Sequence, residues 1–110
     1  MTRKQSKAKA DRIFATYIRS YGRCQVAGCT RTSLQCAHWI SRRYSWTRTD
    51  ERNAFCLCAH HHRWFTDHPT EFGRWAISQR GEPVYRELMA QSLRREKFDW
   101  DAEVERLKQL

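Results

Sequence analysis

Apolar residues first recur at steps of three and four: Ile13, Phe14, Tyr17, Ile18 and Tyr21 fall on one side, with Lys7, Lys9, Arg12 and Arg19 on the other. That period predicts an amphipathic helix from about Ser6 to Ser20, ended by Gly22. A glycine-containing turn follows in "CQVAGC", Cys24 to Cys29. "SLQCAHWI" and "NAFCLC" are short and apolar enough for two strands able to pair, separated by a polar, arginine-rich loop from Ser41 to Arg52. From Ala59 the pattern turns helical again and should end near Asp67, because the residue before Pro69 disfavours helical geometry. Thr70 is placed to cap a further helix carrying Phe72, Trp75 and Ala76, stopped by Gly81. Pro83 suits the first turn of the next, with Val84, Leu88 and Leu93 facing a core. Asp99 can cap a last helix bearing Trp100, Val104, Leu107 and Leu110.

The expected class is therefore α+β in one domain, residues 1–110. It divides into a basic N-terminal helix (1–22), a ββα centre (23–69) and a helical tail (70–110). No internal repeat, low-complexity tract or linker interrupts it. A chain of 110 residues buries about two thirds of its extended surface, which leaves little stability to spare. A metal clip would help it.

Charge changes this picture. The formal net charge is +9. Residues 1–52 hold twelve Lys and Arg against Asp11, Asp50 and Glu51, whereas residues 53–110 hold nine of each sign. Basic charge concentrated in one half of a small fold points to an anionic polymer, nucleic acid above all, as partner. No apolar run approaches the roughly 20 residues of a membrane span, and "MTRKQSKAKA" lacks the apolar stretch of a secretion signal, so no membrane partner and a cytoplasmic location are expected. Five cysteines in a reducing compartment then read as metal ligands or core residues rather than disulfides.

Structural zinc takes four Cys or His ligands, usually as two closely spaced pairs. Cys24 and Cys29 make one pair; Cys58 and His61, spaced as a turn entering a helix, make the other. Cys56 rivals Cys58, but the residue nearer the turn is better placed, leaving Cys56 and Cys36 as small buried hydrophobes. Adjacent helical residues project about 100° apart. His61 and His62 should consequently serve different centres, and His60 should be solvated.

His38 ends the first strand, Asn53 precedes the second and His62 lies on the helix, with fourteen residues in the first gap and eight in the second. This arrangement resembles the HNH motif of ββα-metal nucleases, and the flanking cysteine pairs resemble its zinc-supported members. "QCAHWISRR", "RNAFCLC" and "HHRWFTDHP" are similar to small phage-encoded HNH endonucleases. The resemblance covers roughly Cys24 to Pro69.

It implies hydrolysis of DNA phosphodiesters to 5′-phosphate and 3′-hydroxyl ends, in host cytoplasm if the gene is a phage's. His38 would be the general base, Asn53 would steady the catalytic loop and His62 would bind a catalytic divalent ion such as Mg²⁺, beside the structural Zn²⁺. Arg42, Arg43 and Arg48, in the intervening loop, are the expected phosphate contacts, since a guanidinium can grip phosphate with two parallel hydrogen bonds. One departure matters. The position before the base usually supplies a His or Asp ligand and here is Ala37. Thr66, Asp67, Cys36, Gln35 and Asn53 are the possible replacements. The alternative reading is a zinc-dependent DNA-binding module lacking hydrolytic activity.

Overall fold

A computed structural model describes residues 1–110. The order is α1 (Arg3–Arg19), β1 (Leu34–His38), α2 (Ser45–Arg48), a single 3-10 turn (Glu51–Asn53), β2 (Ala54–Cys58), α3 (Ala59–Asp67), α4 (Pro69–Arg80), α5 (Glu82–Ser92) and α6 (Trp100–Leu107). No helix is long and apolar enough to cross a membrane.

The two strands pair antiparallel, with Cys36 opposite Cys56 and His38 opposite Ala54. The ladder extends beyond both ends: Trp39 N–H donates to Asn53 O at 2.8 Å and Ala59 N–H to Ser33 O at 2.7 Å. Alternate residues of a strand face opposite sides, and both sides of this sheet are covered. On one, Ala54 and Cys56 pack with Ala10, Phe14 and Ile18 of α1 and with Trp100, Val104 and Leu107 of α6. On the other, Ala37, Phe55 and Leu57 pack with Phe65 and Ala76. Every residue of β2 is consequently buried, and its sequence is an unbroken apolar run rather than an alternating one.

The stripe on α1 is narrower than its composition suggests. Phe14 and Ile18 are buried, but Tyr17 and Tyr21 are exposed, because a 17-residue helix packed on a two-stranded sheet and one short helix has little to cover a wider face. Phe14 is 1% exposed, and its truncation to Ala should cost about 3–5 kcal/mol. The helix begins at Arg3 rather than Ser6, since Thr2 and Gln5 form a reciprocal capping box.

Other boundaries differ for local reasons. Pro69 itself takes the first turn of α4, with His68 at the cap position, so Thr70 lies inside the helix and caps nothing. Between α4 and α5 the chain turns at Gly81, whose φ of +90° suits glycine. Leu93 and Leu110 lie beyond the last turns of α5 and α6 and are exposed. The loop from Ser41 to Arg52 contains α2 and most of the 3-10 turn. Asp99 caps α6 by accepting from Ala102 N–H.

Candidate active site and metal centre

The "CQVAGC" turn reverses at Gly28, with φ +77°, and brings Cys29 back beside Cys24. Cys58 ends β2 and caps α3, its sulfur accepting the His61 N–H at 3.3 Å. These two turns meet. The ligand atoms of Cys24, Cys29, Cys58 and His61 all lie within 4.8 Å of one another.

Tetrahedral zinc, with Zn–S near 2.3 Å and Zn–N near 2.0 Å, requires donor atoms about 3.4–3.8 Å apart. Cys29 and Cys58 sulfurs are 3.8 Å apart, and His61 Nδ1 is 3.6 Å from Cys24 Sγ and 3.2 Å from Cys58 Sγ. A single imidazole N–H cannot donate well to two sulfurs at once, whereas a shared cation satisfies both. The donor set therefore fits a metal such as zinc. Burial raises the Cys24 thiol, while the Arg31 backbone N–H lowers that of Cys29. Cys56 is outside the cluster, buried against α1 and α6, and its backbone bonds with Gln25.

A groove of about 730 Å³ runs between α1 and β1, and both His38 and His62 line it. His38 Nε2 lies 2.8 Å from the Arg48 carbonyl. A carbonyl only accepts, so Nε2 carries the proton and Nδ1 keeps its lone pair. Phe14 packs 5.7 Å from the ring. Burial is the main reason the His38 pKa falls to about 4; Arg42 and Arg48 push the same way, while the Arg48 carbonyl and Asp11 oppose it. The ring is neutral at physiological pH.

Asn53 holds the loop that carries this carbonyl. Its Nδ2 donates to Ile40 O and Thr47 O, both at 3.0 Å, and its Oδ1 accepts from Ile40 N–H at 2.7 Å. The side chain is fully buried, its oxygen and nitrogen are both hydrogen-bonded to this loop, and it does not line the groove.

His62 projects from α3 towards Gln35, whose Oε1 accepts from Nδ1 at 2.7 Å. Nε2 is left free as a ligand atom. Burial lowers its pKa. Ala37 is fully buried on the opposite face and offers nothing to the groove. Among the possible replacements, Gln35 orients His62, and Thr66 donates back to the His62 carbonyl. Asp67 does not line the groove; Cys36 does, but burial pushes its thiol up to about 12. Only the Cys24 cluster brings three or more Cys, His, Asp or Glu ligand atoms together. A second ion would rest on His62 and on oxygens from water and substrate.

The three loop arginines divide. Arg48 is largely buried, donating through Nε and Nη2 to Asp11 at 2.8 and 2.7 Å and through Nη1 to Arg42 O at 2.8 Å. Arg42 is exposed and lines the groove, 3.4 Å from Asp11. Arg43 is exposed and lies against the Tyr44 ring. Trp46 packs on Phe98 and donates to Glu96 O at 2.7 Å, while Trp39 stacks on Tyr85, so neither is a free platform for a base.

Residues 24–70 match the family model for HNH endonuclease. This segment is similar to HNH endonucleases. No curated protein and no solved structure matches the chain. The match starts at Cys24 and ends in the first turn of α4, so α1, which walls the groove, lies outside it. Asp11, which pairs with Arg48, is the residue at this site that pattern reading misses. It is the only carboxylate before Asp50 in a strongly basic stretch, which is the signal that could have marked it as an ion-pair partner.

Proposed function

We propose that the protein is a metal-dependent DNA endonuclease in which His38 is the general base and His62 the protein ligand of a catalytic divalent ion. What carries this reading is that both imidazoles open on one groove, each with one nitrogen held by a fixed acceptor and the other unbonded. The Arg48 carbonyl keeps the His38 proton on Nε2, so Nδ1 can take the proton of a water attacking phosphorus. Asn53 fixes that carbonyl indirectly by pinning the loop at Ile40 and Thr47. Gln35 aims His62 through its Nδ1–H.

A divalent ion at His62 would supply positive charge to the scissile phosphate and leaving oxygen. With few protein ligands, magnesium is the suited hard cation, since it ordinarily retains several waters and substrate phosphate oxygens. Zinc at Cys24, Cys29, Cys58 and His61 would brace the turn between β2 and α3, and so the orientation of His62, without touching substrate. Arg42 and Arg43 are the exposed loop cations available to the DNA backbone.

The buried Ala37 favours a second reading, a zinc-stabilised DNA-binding module without hydrolysis. Incubating the zinc-loaded protein with duplex, single-stranded, nicked and branched DNA, with magnesium or manganese, separates the two. The nuclease reading expects ion-dependent cleavage that disappears in His38→Ala while DNA binding persists. Binding without cleavage of any substrate under any ion would support the second reading instead.

A further inference from the structure

Arg12, Thr16 and Arg19 of α1 line the groove that holds His38 and His62. Steps of four and three residues place them on one face of the helix. Neither arginine takes part in any of the chain's ion pairs. Arg19 has only a long contact to Thr16 Oγ1, at 3.5 Å. The one carboxylate on this wall, Asp11, is already occupied by Arg48 at 2.7 Å and Arg42 at 3.4 Å. The α1 wall therefore presents two exposed guanidiniums with unused donors, and the exposed Arg42 lines the same groove.

Seven residues of helix separate the two backbone positions by about 10 Å. Successive phosphates on one strand of duplex DNA advance by about 3.4 Å along the axis, so the two side chains reach different phosphates rather than closing on one. We propose that Arg12 and Arg19 form a phosphate-binding rail on α1, outside the HNH segment, which lays a DNA strand along the groove past His38 and His62. This rests on DNA being the substrate, as argued above. The rail acts on binding and alignment and takes no part in proton transfer.

The test compares wild type with Arg12→Gln/Arg19→Gln and with Arg74→Gln/Arg95→Gln, which removes equal charge from exposed positions outside the groove. Anisotropy of a labelled duplex is read across a salt series, using zinc-loaded full-length protein without added magnesium. Each phosphate contact contributes about 0.9 to the slope of log K against log salt. The rail predicts a slope shallower by about two in the first variant and unchanged in the second. An unchanged slope in the first variant, equal changes in both, or no DNA binding by wild type would overturn it. Cleavage is measured separately with magnesium. A shallower slope with no cleavage by any protein keeps the rail and refutes hydrolysis; cleavage with an unchanged slope refutes the rail and keeps the nuclease.

Discussion

Asp11 and Arg48 form a two-pronged ion pair, with Nε and Nη2 at 2.8 and 2.7 Å from the two carboxylate oxygens. The same Arg48 offers its carbonyl to His38. One residue of α1 thus helps to hold the backbone group that fixes the tautomer of His38.

Asp11→Asn should therefore lower kcat more than DNA affinity, and destabilise the chain by about 2 kcal/mol as a largely buried, charge-assisted contact is lost. Burial raises the Asp11 pKa, but the Arg48 hydrogen bonds and charge outweigh it and hold the carboxyl below its usual range. Its contribution is present above the unfolded carboxyl pKa of about 3.9 and is lost as pH falls through the lower folded value. Denaturant midpoints and single-turnover rates for the variant check both effects.

His38 carries a pH signature of its own. An unfolded histidine titrates near 6.5, whereas the folded ring titrates at about 4. Between those values only the unfolded chain takes up the proton, so this contribution is complete above pH about 6.5 and drains away as pH falls towards 4. Wild type should lose more stability than His38→Gln between about pH 7 and about pH 5, by urea unfolding of the zinc-loaded proteins. In activity, the acid limb belonging to the base should lie below the ordinary histidine value.

Cys58 and Cys56 are chemically identical and two residues apart, but only Cys58 is in the four-donor cluster. Cys58→Ser should lose bound zinc and cooperative unfolding, because in a small domain metal binding is part of the folding free energy. Cys56→Ser should keep one zinc and lose about 1–3 kcal/mol for burying a hydroxyl in an apolar site. Zinc content by atomic absorption with thermal unfolding distinguishes them.

Asn53→Asp tests the loop clamp more sharply than truncation does. The substitution keeps shape but turns a donor facing two carbonyls, Ile40 O and Thr47 O, into an acceptor or a charge. A loss of 3 kcal/mol or more is expected, with faster amide exchange across residues 40–48. A tolerated Asp would show that the loop is held by something else.

The strands, the ββα centre and the Cys and His pairs were legible because each is set by local pattern: short apolar runs, a glycine between cysteines, a Cys-x-x-His step into a helix. What sequence did not disclose is long-range. α6 packs on α1, and the hydroxyl of Ser6 meets Asp101, 95 positions away in sequence. The same holds at the site. Arg48 reads as a surface phosphate contact until its partner Asp11, 37 positions away, is seen to occupy it. Leu93 and Leu110 follow helical spacing past the end of their helices, where no neighbour remains to bury them.

Single-turnover cleavage by His38→Ala, His62→Ala and the double variant tests most directly whether the two imidazoles serve one reaction centre. Residues acting on the same step are strongly non-additive. Each single variant should lose at least about 100-fold, and the double should be little worse than either alone. Fully multiplicative losses, or cleavage that survives either substitution, would contradict a shared centre.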